Sequence, residues 1–196
     1  FQPNLREGSL VAGVPIPRGT PVRSLLGKND QTACEYRTGH DVTLLPLEVA
    51  AAEWRSNLAD LRDVRFPGFE RVRAVFRLHL RTVGGVKISQ IALDRLPLFF
   101  RGPIDLSTRL HEHLVAHTAA VVVRPRADRS NRMAPVSPTL IRGKSIRALG
   151  LEPEESLLPH DRRSFHGHRL LHEYFTFPNR LLFAELTGLG AAIRRI

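Results

Sequence analysis

The sequence predicts an α+β fold, mainly antiparallel β-sheet in a sandwich-like arrangement, with two short-to-medium α-helices. Three observations carry this. Over 71–82 the apolar residues Val72, Ala74, Phe76, Leu78 and Leu80 alternate with Arg71, Arg73, Arg77, His79 and Arg81, Val75 being the exception. That period of two belongs to a half-buried strand. Two further segments, 105–118 and 164–177, carry helical spacing instead. Strand-like segments otherwise predominate, without the regular strand–helix alternation of a doubly wound sheet.

In chain order, 10–23 is apolar but punctuated by Pro15, Pro17, Gly19 and Pro21, as in a short edge strand entering a turn. Residues 32–37 and 42–54 favour strands around a turn at 39–41, with 50–52 equally compatible with helix. Gly84 and Gly85 turn the chain after the alternating strand. Segment 87–101 supplies further strands, with Pro97 marking an edge or bend. Asp105 or Ser107 is placed to cap the first helix, whose apolar stripe is Leu106, Leu110 and Leu114. A buried strand over 119–124, a basic loop and short strands through Leu149 follow. The second helix carries Leu170, Leu171, Tyr174 and Phe175 and ends at Pro178, because the residue before proline is pushed out of helical geometry. Segment 180–186 is a last strand, and Gly188 and Gly190 close it.

The 196 residues suffice for one domain, read as β-rich across 1–196 with a sub-boundary admitted in the loop 124–139. The chain starts at Phe1 and its single methionine is Met133, which suggests an excised central piece of a longer protein. The longest apolar run, 119–123, is far short of the roughly 20 residues of a membrane span. A lone Cys34 permits no internal disulfide and reads as a buried, inert thiol.

No constellation points to catalysis, and the chain reads as a non-enzyme without cofactor or metal. His113 and His117, and likewise His168 and His172, stand four apart on their helices, a spacing that lets two imidazoles share a metal. Yet Val115 stands where a zinc-protease motif starting at His111 needs its second histidine, and no thiol ligand accompanies either pair. Nucleophile-elbow, phosphate-loop and dinucleotide-binding motifs are absent from the sequence. Glu152, Glu154 and Glu155 read as a solvated acidic loop.

Charge is more informative. The formal net charge is +10, and only 3 of the 29 basic residues are lysines. Between Val121 and Arg147 lie seven basic residues against Asp128 alone. Arg124, Arg126, Arg129 and Arg132 in this loop, with Arg71, Arg73, Arg77 and Arg81 on the alternating strand, are the candidate partner-facing residues. Such a surface suits acidic protein neighbours. A basic nucleic-acid-binding module is the alternative, weakened by the lack of a stacking aromatic in the loop.

Several stretches resemble the TssF (VasA/ImpG) family of type VI secretion baseplate subunits. They are Val14-Pro-Ile-Pro-Arg-Gly-Thr20, Cys34-Glu-Tyr-Arg-Thr38, Asp41-Val-Thr-Leu44, Pro46-Leu-Glu-Val49, Leu93-Asp-Arg-Leu96 and Leu110-His-Glu-His-Leu114. The most specific is Ser164-Phe-His-Gly-His-Arg-Leu-Leu-His-Glu-Tyr-Phe-Thr-Phe-Pro178, leading into Leu182-Phe-Ala-Glu-Leu-Thr-Gly-Leu189. The resemblance implies a structural wedge part of a contractile, phage-tail-like machine. It also implies TssG, TssK, TssE, VgrG-type proteins and other TssF copies as partners, and a cytoplasmic baseplate docked at the inner membrane. Tyr174, Phe175, Phe177 and Pro178 are expected to lock the second helix onto the sheet.

Overall fold

A computed structural model describes residues 10–27, 31–125, 137–141, 143–158, 163 and 165–195. The strands are β1 (Val14–Ile16), β2 (Pro21–Arg23), β3 (Glu35–Arg37), β4 (Val42–Leu44), β5 (Leu47–Arg55), β6 (Val75–Thr82) and β7 (Arg95–Phe99). Helix α1 (Ile104–Ala116) follows, then β8 (Val121–Val123), β9 (Thr139–Ile141), β10 (Ile146–Ala148), α2 (His166–Thr176), β11 (Phe183–Thr187) and α3 (Leu189–Ile193).

The α+β class and antiparallel pairing expected from the sequence are both present. Among the described residues the strands are spread over five small sheets, though, rather than two broad sandwich layers. Four are two-stranded: β1–β4, β2–β3, β5–β6 and β8–β9. The fifth has the order β10–β11–β7. Most strands span only three residues, because proline and glycine interrupt them before a wide ladder can grow. Pro97 lies in β7, an outer strand of the three-stranded sheet, where its missing N–H is tolerated. The strands on either side of the basic loop, β8 and β9, pair with each other.

The alternating strand begins later than expected. Residues 69–71 form a 3-10 turn and β6 starts at Val75, so Arg71 and Arg73 precede the strand. Pro67 and Gly68 set this turn, Gly68 with φ of 87°, and the Phe66 and Phe69 rings meet edge-on at 5.4 Å. Within β6, Arg77 and His79 are half-buried and Arg81 is exposed, so the polar face is only partly solvated. Residues 50–52 belong to β5 as strand, with a register shift between Val49 and Ala51.

One face of the three-stranded sheet carries the core. Leu96 and Leu98 of β7, Ala184 and Leu186 of β11, and Ile146 of β10 share it. At one end Leu114 of α1 packs with Phe100 and Ala184, supported by Leu110 and Val115. At the other end Leu189 and Ile193 of α3 pack with Ile91 and Leu93. Helix α3 escaped the sequence reading, which stopped at Gly188 and Gly190. Its buried residues Leu189, Ala192 and Ile193 have the i, i+3, i+4 spacing of one helical face, and Gly188 supplies the left-handed turn before it, φ 81°. Helix α1 also differs in detail. Pro103 precedes its first turn, so Asp105 and Ser107 lie inside the helix and neither side chain caps it. The inward stripe runs Ser107, Leu110, Leu114, while Leu106 is exposed.

Leu93, at 1% exposure, anchors the larger core cluster. Leu93→Ala is expected to destabilise the chain by about 2–5 kcal/mol in urea denaturation, since the cavity lies where three elements meet.

Candidate interaction surface

On the opposite face of the sheet, Phe183 stacks on Phe99 at 4.5 Å, and Arg147 bonds Glu185 at 2.8 Å. The segment 150–158 lies beyond this face and is gripped by charged side chains from four places. Arg147 donates to Glu155 Oε1 at 3.0 Å. Arg18, in the turn between β1 and β2, donates to the Glu154 carbonyl at 3.1 Å and the Ser156 carbonyl at 2.5 Å. Arg180, in the 3-10 turn after α2, donates to the Gly150 carbonyl at 2.8 Å and to the Glu155 carbonyl. Arg169 of α2 reaches the Leu151 carbonyl at 3.3 Å.

Glu173 closes the arrangement. Its Oε1 accepts the backbone N–H groups of Leu157 and Leu158 at 3.0 and 3.1 Å. Its Oε2 meets Arg169 at 3.0 Å and Arg180 at 2.5 Å, and all three charged side chains are almost fully buried. Gly150 fits its place because its φ of 93° suits glycine, its N–H donates to Glu155 at 2.6 Å, and a Cβ would sit 3.2 Å from the Arg180 guanidinium.

Electrostatics follow from this packing. Burial pushes the Glu173 carboxyl up, but the Leu158 amide and the two arginines outweigh it and hold the pKa below the ordinary value. Burial likewise favours the neutral form of Arg180, partly offset by Glu173, so its pKa is lowered. Glu155 is held low by the Gly150 amide and Arg147 against the opposing effect of burial.

The network turns α2 inside out. Its inward positions are His166, Arg169, Leu170 and Glu173, spaced i, i+3, i+4, i+7. The parallel outward stripe is His168, Leu171, His172 and Phe175, with Tyr174 beside it. Phe175 is 78% exposed, and Tyr174 and Phe177 about half exposed. The expectation that Tyr174, Phe175 and Phe177 lock the helix to the sheet is therefore corrected: buried charges occupy that side. Pro178 does follow the end of the helix, opening the 3-10 turn that carries Arg180.

The basic candidates among the described residues have neighbours within the chain. Arg124 meets Asp63 at 2.6 Å and lowers that carboxyl's pKa. Arg81 pairs with Glu48, and Arg73 donates to the Glu70 carbonyl at 3.0 Å. Arg71 lies 3.9 Å from Glu70, and Arg77 stands opposite Glu53 in the β5–β6 register. Arg126, Arg129 and Arg132 lie outside the described residues. His111 is engaged with the Phe183 carbonyl at 3.1 Å, and the His113 ring lies tilted against Trp54, centroids 5.3 Å apart. Among the described residues no group of three or more His, Cys, Asp or Glu side chains could hold a metal. Cys34 is exposed, not buried, immediately before β3. The sequence reading missed the buried ionic network; its signal was Arg169 and Glu173 at i, i+4 on the helix, with Arg180 shortly after.

Glu173→Ala strands two buried guanidinium groups and is expected to cost about 3–5 kcal/mol in urea denaturation. Because the Glu173 carboxyl titrates below its unfolded value of 4.5, its contribution is complete above that pH. It is lost as pH falls below 4.5 through the folded value, so stability measured by circular dichroism should drop there. A Glu173→Gln variant should show a shallower acid limb.

Comparison with known proteins agrees with the sequence resemblance. The family described as "Type VI secretion system, TssF" matches residues 1–196. Type VI secretion system component TssF1 of Pseudomonas aeruginosa PAO1 is 42% identical over 195 residues, spanning all of this chain and 30% of that protein. A chain in the cryo-electron microscopy structure of the TssK-TssF-TssG baseplate subcomplex superposes with a TM-score of 0.71 and 26% identity. That match covers 97% of this chain and 32% of the other. The present chain thus spans about a third of the length of these relatives. From end to end, it belongs to the TssF family of the type VI secretion system.

Proposed function

We propose that the chain is a structural, non-catalytic part of a type VI secretion baseplate, acting by holding neighbouring subunits such as TssG and TssK in place. The observation that carries this reading is the likeness, over 97% of the chain, to a component of the TssK-TssF-TssG baseplate subcomplex. The local chemistry supports it. Buried ionisable groups such as Arg169, Glu173 and Arg180 tie segments together, and the exposed groups include aromatic rings and arginines, residue types enriched where proteins meet. Among the described residues no helix is long and apolar enough to cross a membrane. The reading places the assembly on the cytoplasmic side of the inner membrane.

In this reading Arg71, Arg73, Arg77 and Arg81, with Arg124, Arg126, Arg129 and Arg132, face acidic neighbours. A guanidinium has five N–H donors, so one carboxylate within the chain leaves others for a partner. Arg124 should be kept in any test because it holds Asp63. Reversing Arg126, Arg129 and Arg132 to Glu is expected to weaken co-purification with TssG and TssK about tenfold, chiefly through slower association. Unchanged recovery would remove the loop from the interface. Tight, sequence-specific DNA retention in a gel shift, falling steeply with salt, would replace the baseplate reading with a nucleic-acid one.

A further inference from the structure

The outward stripe of α2 is the feature that the fold itself leaves unexplained. A surface helix ordinarily turns its apolar side inward and its charges outward. Here the inward side is the Arg169–Glu173 pair, and Leu171, Tyr174 and Phe175 point away from the chain. The apolar surface continues beyond the helix at both ends. Phe165, 70% exposed, meets His168 edge-on at 5.2 Å, and Tyr174 meets Phe175 at 5.3 Å, with Phe177 following. Five side chains of this size, each more than half exposed, present on the order of 600 Å². That approaches the roughly 800 Å² that one partner contributes to a stable interface.

The surroundings state what chemistry fits. The helix has one carboxylate, Glu173, and it is turned inward and neutralised by two arginines. The outward stripe therefore offers aromatic and aliphatic groups, two histidines and no acid. A second copy would bring the same histidines and a chain of net charge +10 against itself. Charge complementarity favours a different protein.

We infer that the outward stripe of α2, centred on Leu171 and Phe175 and flanked by Phe165, Tyr174 and Phe177, docks a partner protein whose contact surface is apolar at its centre and carries carboxylates at its rim. The inference rests on the baseplate reading for its choice of partner. The buried network fixes the roll of the helix, so the aromatic face is held in its binding orientation before the partner arrives, which reduces the ordering cost of association.

Hydroxyl-radical footprinting of the full chain, free and mixed with TssG and TssK, tests this without mutation. Labelling of Tyr174, Phe175 and Phe177 is expected to fall several-fold in the complex. The double variant Leu171→Asp, Phe175→Asp is expected to lose about tenfold or more in affinity for the same partners. Its urea midpoint should stay unchanged, since both side chains point outward; Phe175→Leu should retain binding. A complex that forms with labelling unaltered overturns the assignment of α2 while leaving the baseplate reading intact. Rings already protected in the free full-length protein overturn it, in favour of a second copy where that protein self-associates and in favour of the rest of its own chain where it is monomeric. If the unmodified chain binds neither TssG nor TssK, the baseplate reading falls, and this choice of partner falls with it.

Discussion

The carboxylate of Glu173 is shared between two guanidinium groups and two backbone amides, and the geometry of the C-terminal half follows from that sharing. Arg169 comes from the same helix, Arg180 from the turn after it, and the amides from the segment 157–158. One side chain thus ties three pieces of chain that have no sheet in common. Buried ion pairs seldom beat a well-packed apolar substitute in stability. What this one supplies is direction: leucines in its place could repack with the helix rolled either way, whereas a carboxylate with four donors has one satisfactory orientation.

The same physics accounts for the way the chain uses arginine. Arg18, Arg169 and Arg180 each donate to backbone carbonyls of the segment 150–158, a stretch with little regular structure of its own to satisfy them. The planar five-donor fork can meet carbonyls and a carboxylate at once, which the point charge of lysine does less well. Arginine content read from composition is therefore a poor measure of free positive surface. Exposed pairs such as Arg124–Asp63 add little stability, and their value lies in how they pre-position a charge.

The sequence disclosed the elements better than their roles. Period-two alternation located β6, Pro97 marked an edge or bend within the strands expected over 87–101, and helical spacing located α1 and α2. Each of these signals is local, generated by backbone geometry within a few residues. The roll of α2 was not legible in the same way. Its sequence has two i, i+3, i+4, i+7 stripes, and the hydrophobic rule selects the one with Leu171 and Phe175 as the inner one. What overruled it is the set of partners for Arg169 and Glu173, supplied by Gly150, Leu157, Leu158 and Arg180, which come together only in three dimensions. Helix α3 was missed because two glycines at its start read as a terminator, although the first serves as its left-handed lead-in. The family was legible because its motifs keep their order along the chain, not because any one of them is specific.

The two small core clusters bear on why so many large apolar side chains remain outside. Core packing is concentrated on one face of a three-stranded sheet, with α1 at one end and α3 at the other. The two-stranded ribbons around it lend these clusters partly buried residues, Leu47 of β5, Phe76 of β6, Val123 of β8 and Ile141 of β9, and a ribbon on its own is only marginally stable in water. A chain of this design gains little by drawing its aromatics inward, since the space beneath α2 is already filled by charge. It gains more from contacts that cover those aromatics from outside, where each ring adds apolar burial to an interface already oriented by the network below. Folding and assembly then depend on the same helix from its two sides: the inner stripe sets where the chain goes, and the outer stripe sets what it meets.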